Sequence, residues 1–163
     1  MNKQYFEKAT VSKIIVNSRC FEADLIIRLS NRKWVGSPGS KFPSKDFEIE
    51  LDCFAHEIED IRTLEKIKSG DKISFRLSLL EFGVTKVTNK QKTILYKKPW
   101  PSAVNSYHLI GEIVDVKKGE KYDTLIMDCG FYCNVSVDSA KKIKVGDFIE
   151  LGCRLDMKNV KKL

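Results

Sequence analysis

Short runs of alternating hydrophobic and polar residues dominate this chain. Leu25, Ile27 and Leu29 share one side of the segment 21–30, and residues 47–53 alternate in the same way. Alternation with a period of two is typical of a β-strand that buries one face. The pattern predicts strands over residues 10–17, 21–30, 47–53 and 72–80, and a fifth strand within residues 84–96.

The period changes between the third and fourth of these strands. Ile58, Ile61 and Leu64 recur at helical spacing, with acidic residues near the start of the segment and lysines near its end. Such charges complement the helix dipole, and Gly70 is well placed to end a helix. We therefore predict one short amphipathic helix over residues 58–68.

The second half of the chain partly repeats the first. Residues 64–73 recur 76 positions later as residues 140–149, and each copy carries a Gly-Asp pair just before an alternating segment. The second half has predicted strands over residues 109–116, 124–129, 131–137 and 147–157, with a short helical turn at residues 138–142. The recurrence predicts two small β-barrels in tandem. At the same offset Asp52-Cys53 matches Asp128-Cys129, although these pairs fall in different predicted strands.

The order strand, strand, strand, helix, strand, strand resembles the OB-fold. Residues 111–116 (G-E-I-V-D-V) resemble its opening strand, and residues 144–152 (K-V-G-D-F-I-E-L-G) and 68–73 (K-S-G-D-K-I) resemble its entry into strand four. The resemblance implies an all-β protein of two five-stranded OB-like barrels, each with a short helix.

We place the first barrel at residues 1–97, a linker at residues 98–106 and a shorter second barrel at residues 107–163. Six residues, 158–163, follow the last predicted strand, which is too little for a full fifth strand. The linker, the first unit or a partner molecule is expected to complete the second barrel. An unfilled sheet edge is a pairing site, so a protein partner or homodimerisation through this edge is one expectation.

Charge is strongly segregated along the 163 residues. Lys and Arg total 29 against 22 Asp and Glu, a net charge of +7, which favours polyanionic partners. Residues 25–45 and 82–111 contain five bases each and no acid, whereas residues 46–60 contain seven acids and no base. Trp34 and Trp100 both lie in the basic stretches, and bases interleaved with aromatic rings suit single-stranded nucleic acid. For Trp100, which sits between two prolines, packing within the protein is favoured over base stacking.

The OB-fold resemblance also implies where a ligand would bind. In such proteins the ligand crosses strands two and three and is held by the loops that join strands one to two and four to five. Carried onto this chain, these places are Arg19, Arg28, Arg32, Lys33, Trp34 and Phe82 in the first barrel, and Lys117, Lys118, Lys121, Tyr122, Tyr132 and Asn134 in the second. The acidic outer side of the first barrel's third strand (Glu48, Glu50, Asp52) opposes nucleic acid on that whole face.

The residues offer little for catalysis or for a cofactor. No glycine-rich phosphate-binding motif occurs, and Cys53 and His56 stand at a spacing that rarely aligns a nucleophile with its base. Cys53-x-x-His56 together with Cys129-x-x-x-Cys133 is a zinc alternative. Alternation, however, places Cys53, Cys133 and Cys153 on inner faces, where free cysteine is an ordinary core residue. We therefore predict no enzyme, no cofactor and no metal site.

The expected compartment is the cytoplasm. The five cysteines are odd in number and none has C-x-x-C spacing, which favours free thiols in a reducing environment. The first residues are polar and lack the apolar core of a signal peptide, and no apolar run approaches the length of a membrane span.

The sequence thus predicts a non-catalytic protein that binds single-stranded DNA or RNA. The alternative is a protein-interaction module that uses the acidic residues 46–60 and the open edge of the second barrel. The two hypotheses differ in where the acid-free stretches lie. One continuous basic groove favours nucleic acid, whereas an acidic strand that divides the stretches favours the interaction module.

Overall fold

A computed structural model describes residues 5–32, 47–97 and 106–163. In this part of the chain there are nine strands, one α-helix and one 3₁₀ turn. They are β1 (Glu7–Asn17), β2 (Glu22–Arg32), β3 (Phe47–Ala55), α1 (Ile58–Leu64), β4 (Lys72–Val87), β5 (Thr93–Lys97), β6 (Ser106–Lys117), β7 (Tyr122–Asp128), β8 (Tyr132–Asp138), the 3₁₀ turn (Ser139–Lys141) and β9 (Phe148–Lys162). The predicted all-β class with OB-like barrels is confirmed.

The long strands β4 and β9 form a two-stranded antiparallel ribbon at the centre of the fold. Their pairing runs from Ile73 opposite Lys162 to Val87 opposite Phe148. Near the middle, Leu79 lies opposite Leu155, and these residues are separated by the same 76 positions as the sequence recurrence. The ribbon therefore relates the two halves of the chain by an approximate twofold arrangement.

Each barrel closes with a strand from the other half of the chain. The first barrel follows the order β1–β2–β3–β9–β4 and returns to β1, where Thr10 lies opposite Lys72. The second follows β6–β7–β8–β4–β9 and returns to β6. The two borrowed strands meet β3 and β8 in short parallel contacts. The C-terminal part of β9 thus completes the first barrel, and the C-terminal part of β4 completes the second.

This exchange corrects two expectations. The predicted fifth strand of the first unit is split, because β4 continues past Gly83 to Val87 and β5 pairs with β6 of the second half. A register shift between Phe82 and Thr85 allows β4 to pass the glycine. The first unit completes the second barrel, which was one of the three predicted alternatives: β4 pairs with β8, so this edge is not open to a partner, and β9 continues to Lys162. The linker at 98–106 lies almost wholly outside the described residues, so the division into domains stays a prediction.

The two Gly-Asp segments have the same local conformation. Gly70 and Gly146 have φ values of +92° and +90°, in the left-handed region that favours glycine. Each N–H donates a 2.8 Å hydrogen bond to the first strand of its barrel, to the carbonyl oxygens of Val11 and Ile113 respectively. Each segment therefore ties the start of a ribbon strand to its own barrel.

A hydrophobic core runs through both barrels without interruption. Its largest fully buried side chains include Phe75 and Phe131. Cys53, Cys133 and Cys153 lie in this core, on the inner faces that the alternation predicts. The inward-facing half of each alternating segment is thus used for packing, and the outward-facing half is free to form a binding surface.

Candidate nucleic-acid interface

The β6–β7 turn and the 3₁₀ turn meet at one end of the second barrel. Tyr122 is paired with Asp138 across β7 and β8, which brings the two turns together. The Ser139 N–H donates to the Lys121 carbonyl oxygen at 3.0 Å, and the Ser139 hydroxyl donates to the same oxygen at 3.1 Å. We call residues 117–123 and 138–144 the basic end.

The basic end has an excess of positive charge. It contains six lysines and three acids, a net charge of +3. Lys118 is bound to the buried Asp123 at 2.8 Å, and this hydrogen bond lowers the pKa of Asp123. Lys117, Lys142 and Lys144 are exposed, and their side chains have no hydrogen-bond or ion-pair partner among the described residues. Their charges are therefore available to phosphates.

An exposed aromatic ring accompanies these lysines. Tyr122 is 53% exposed, and the Lys121 ammonium lies 5.3 Å from the centre of its ring. A flat ring beside a cation is the combination that stacks a base and neutralises its phosphate. The OB-fold resemblance predicted Lys117, Lys118, Lys121 and Tyr122 as site residues, whereas Lys142 and Lys144, just after the 3₁₀ turn, were not predicted.

A second aromatic position lies at the opposite end of the same strands. Tyr132 begins β8 opposite Asp128, while Tyr122 begins β7 opposite Asp138. At about 3.3 Å per residue, the two tyrosines are separated by about 20 Å along the strands. Between them the outward-facing residues are small or neutral. We call this surface the β7–β8 face; it consists of Thr124, Ile126, Tyr132, Asn134 and Ser136.

Tyr132 is supported by residues from the start of the chain. The Tyr5 and Tyr132 ring centres are 5.1 Å apart with the planes tilted by 55°. The Tyr132 N–H donates to Glu7 Oε1 at 2.8 Å. Burial, followed by the nearby charge of Asp115, raises the pKa of Tyr5, whose hydroxyl is hydrogen-bonded to that carboxylate. Tyr5 is therefore held in place as part of the second barrel's surface.

Arg76 extends this aromatic group towards the first barrel. Its guanidinium lies 4.6 Å from the centre of the Phe6 ring. Ser78 lies opposite Asn134 in the parallel pairing of β4 and β8, which brings Arg76, two residues earlier, beside Tyr132. Tyr5, Phe6 and Arg76 were not predicted as site residues. The adjacent aromatic residues Tyr5 and Phe6 were a visible signal, but no pattern in the sequence linked them to β8.

The corresponding surface of the first barrel is acidic. Asp24 and Glu50 are exposed on β2 and β3, and Ile26 lies opposite Asp52. Partial desolvation of the carboxyl, and then the charge of Glu22, raises the pKa of Asp24. The first barrel's strand-two and strand-three face is therefore a poor site for a polyanion, as the acidic residues in the sequence already indicated.

The two acid-free stretches do not form one continuous strand surface in the described residues. The acidic strand β3 lies between β2 and the β9–β4 ribbon. In the second stretch, Lys86 is bound to Asp147 at 2.9 Å and Lys92 to Asp128 at 2.7 Å. These lysines are therefore neutralised by the other half of the chain, and the best candidate interface is the second barrel.

The predicted residues of the first barrel are scattered. Arg19 is exposed in the β1–β2 turn, Arg28 and Arg32 lie on β2, and Phe82 lies on β4 at the register shift. Lys33, Trp34 and Trp100 lie outside the described residues. The β1–β2 turn also carries Phe21, which the sequence reasoning missed; its side chain is 48% exposed, with a φ of +52°. The second barrel, in contrast, brings its six predicted residues onto two adjoining surfaces.

The cysteines do not approach a metal-binding arrangement in the part of the chain that the structure describes. There, no three side chains of His, Cys, Asp or Glu lie close enough together to hold a metal ion. Cys53, Cys129 and Cys133 are buried, whereas His56 is exposed. Burial raises the pKa of the Cys53 and Cys133 thiols well above the ordinary value, which keeps them protonated and poor as ligands.

No protein-family model and no curated protein sequence matches this chain. Among solved structures, the cytoplasmic molybdate-binding protein ModG is 14% identical; the alignment covers 99% of this chain and 96% of that chain, with a TM-score of 0.42. The single-stranded DNA binding protein from Thermus aquaticus is 10% identical, with 97% and 91% covered and a TM-score of 0.29. The helices in the described residues are too short or too polar to cross a membrane.

Proposed function

We propose that this protein binds single-stranded DNA or RNA on the β7–β8 face and the basic end of its second barrel, without catalysing a reaction. Bases stack on Tyr122 and Tyr132, and the lysines of the basic end neutralise phosphates. The side chains between the two rings (Thr124, Ile126, Asn134 and Ser136) are uncharged and do not repel the strand. Trp34 stays a predicted stacking residue of the first barrel.

One observation carries this proposal. Two accessible aromatic residues lie about 20 Å apart on one strand pair, with exposed lysines at one end. Three acids border this path. Asp128 is bound to Lys92 at 2.7 Å, which reduces its repulsion of a phosphate, whereas Asp138 lies opposite Tyr122 and Asp115 opposite Ile126. A single strand needs this alternation of flat rings and cations, and the acidic face of the first barrel lacks it.

A protein-interaction module is the second candidate, supported by that acidic face. Glu22, Asp24 and Glu50 are exposed along β2 and β3, with Glu50 opposite Arg28, and the acids Glu22 and Asp24 would suit a basic partner. The open edge of the second barrel no longer supports this candidate, because β4 occupies the position at which a partner strand was expected to pair. The two candidates predict opposite charge preferences, so one binding experiment separates them.

The test measures binding of labelled oligo-dT and oligo-U by fluorescence anisotropy at several salt concentrations. Tyr122→Ala and Tyr132→Ala should each weaken binding by about 1–3 kcal/mol, the usual contribution of a stacked base. Phe21→Ala is the matched control, since Phe21 is almost as exposed but lies beside acidic residues in the first barrel; its affinity should match the wild type.

Salt dependence provides the second part of this test. Lys117→Gln with Lys142→Gln should reduce the magnitude of the slope of log K against log salt by about 1.4, since each lost phosphate contact accounts for about 0.7 with a single strand. No binding at low salt would exclude the nucleic-acid proposal, because phosphate attraction is strongest there. Binding of a basic peptide instead would favour the interaction module.

A further inference from the structure

A second cationic surface lies on the outside of the first barrel, where β1, β4 and β9 are adjacent. The outward-facing side chains on these paired segments include several bases and no acid. We call this surface the β4–β1 wall; it consists of Lys8, Thr10, Lys72, Ser74 and Lys161, with Arg28 of β2 at its border. The nearby acid Asp71 is bound to Lys162 at 2.7 Å.

The strand register concentrates these side chains around one depression. Thr10 lies opposite Lys72 on one side and opposite Arg28 on the other. A pocket of 280 Å³ opens here, lined by Lys8, Ala9, Thr10, Arg28, Lys72 and Leu163. Lys8 and Lys72 are exposed, and their side chains have no hydrogen-bond or ion-pair partner in the described ranges. Ammonium groups around a hydroxyl suit the oxygens of a phosphodiester.

The second barrel shows that the fold does not require this charge. There the pair Glu112–Asp128 occupies the place of Thr10 and Arg28, next to the same type of register shift in the first two strands of each barrel. Asp128 is bound to Lys92, and the neighbouring Glu150 is bound to His108 at 2.6 Å. The positions of the exposed Lys8 and Lys72 are thus occupied by Ile110 and Phe148 in the second barrel. The positions of Thr10, Arg28 and Ser74 are occupied there by the acids Glu112, Asp128 and Glu150.

Strand β4 joins the wall to the β7–β8 face. Buried and accessible residues alternate without a break from Lys72 to Ser78, so Lys72, Ser74, Arg76 and Ser78 share one side. Ser78 lies opposite Asn134 of the β7–β8 face. The distance along β4 from Lys72 to Ser78 is about 20 Å at 3.3 Å per residue. Arg76 and the aromatic residues at its side lie between the two surfaces.

We propose that the β4–β1 wall is a phosphate-binding site for the same single strand that occupies the β7–β8 face. A long strand stacks on the second barrel, passes Arg76 and ends with its phosphates on the wall; a short strand reaches the second barrel without touching the wall. This inference rests on the proposed function, and it makes the binding site a property of both barrels together.

Oligonucleotide length tests the inference. We would compare oligo-dT of about 6 nucleotides, a length within the ~4–16 nucleotides that one OB-fold binds, with oligo-dT of about 20 nucleotides, which exceeds that range. In the variant with Lys8→Gln and Lys72→Gln, the salt slope for the long strand should fall in magnitude by about 1.4, and the slope for the short strand should stay unchanged. Retained binding of the short strand shows that the variant is folded.

Arg62→Gln with Lys66→Gln is the matched control, because both residues are exposed cations of the first barrel that lie away from the wall. This control should leave both slopes unchanged. If the control and the wall variant lower the salt slope of the long strand equally, the inference is overturned, because the slope would then depend on the total charge of the protein and not on the wall. If the wall variant binds both strands with the salt slopes of the wild type, the wall is not a phosphate-binding site, and the proposed function is unaffected. If neither strand binds the wild type, the proposed function itself fails.

Discussion

Asp71 and Asp147 show how single residues connect the two halves of the chain. Each carboxylate accepts the N–H of the lysine three residues earlier, at 2.9 and 3.0 Å. Each also binds a lysine from the other half, Lys162 for Asp71 at 2.7 Å and Lys86 for Asp147 at 2.9 Å. The hydrogen bond from Lys162 chiefly lowers the pKa of Asp71, and the backbone hydrogen bond from Lys144 chiefly lowers that of Asp147.

These lowered pKa values predict a pH-dependent contribution to stability. A carboxyl whose folded pKa lies below its unfolded value of about 3.9 stabilises the fold above that value, and the effect is lost as the pH falls through the folded pKa. Asp71→Asn and Asp147→Asn should each lower the melting temperature at pH 7, and the difference from the wild type should shrink below about pH 4. Thermal unfolding followed by circular dichroism measures this.

Glu120→Gln is the control for these variants. Glu120 is exposed, and its side chain has no partner among the described residues, so its loss should leave the melting temperature unchanged at both pH values. A difference for Asp71→Asn that stays the same at pH 3 would show that its effect is steric rather than electrostatic.

Which single residues form the proposed binding surface was only partly predictable from sequence. Tyr122 and the lysines around it could be predicted because a turn between two alternating segments places them locally. Tyr5 and Arg76 could not, because their positions near Tyr132 depend on contacts between distant parts of the chain. Lys8 likewise could not be predicted as part of a cationic surface, because that surface forms only where the three strands β1, β4 and β9 lie side by side.

At the scale of the secondary-structure elements, α1 is anchored by one buried acid. The carboxylate of Asp60 accepts the N–H groups of Asn159 at 3.1 Å and Val160 at 2.8 Å. Asn159 has a φ of +54°, in the left-handed region, so these hydrogen bonds hold β9 where its backbone departs from regular strand geometry. Burial raises the pKa of Asp60, although both hydrogen bonds lower it in part. The helix of the first half is thus fixed to a strand of the second.

Asp60→Ala should therefore destabilise the protein by about 1–3 kcal/mol, the cost of leaving buried N–H groups without an acceptor. Asp60→Asn should cost less, since its amide oxygen still accepts. Because the folded pKa lies above the unfolded one, the folded state holds more protons between the two values, and the wild type loses stability as the pH rises through that window. Urea unfolding measures the change; equal losses for Asp60→Ala and the exposed neighbour Glu59→Ala would contradict it.

Most elements could be predicted from the period of their hydrophobic residues, whereas their pairing could not. Alternation shows that a segment is a strand with one buried face. The same alternation is expected whether the adjacent strand comes from the same barrel or from the other barrel. The exchange of β4 and β9 could therefore not be derived from alternation. The few residues after the last predicted strand showed that the second barrel needs a strand from elsewhere, but not which strand supplies it. The match of Asp52-Cys53 with Asp128-Cys129 is chance, since Asp52 lies within β3 and Asp128 ends β7.

At the scale of the whole molecule, the shared ribbon should make the two barrels unfold together. The C-terminal part of β9 cannot leave the first barrel without also disturbing its pairing with β4, which runs on into the second barrel. Independent barrels joined by a linker would instead unfold separately. Leu25 and Leu125 offer a matched pair for this question, because both are almost fully buried and occupy corresponding places on β2 and β7.

Leu25→Ala and Leu125→Ala should each cost about 2–5 kcal/mol, as cavities in a packed core do. Because the barrels share two strands, each substitution should shift one cooperative urea transition, and hydrogen exchange should accelerate in β2 and β7 alike. If the barrels are independent, Leu25→Ala would produce a two-step transition and speed exchange in β2 while leaving β7 protected. The same measurement tests the predicted division into two domains at residues 98–106. If the ribbon couples the barrels, the first 97 residues cannot form a complete barrel without β9.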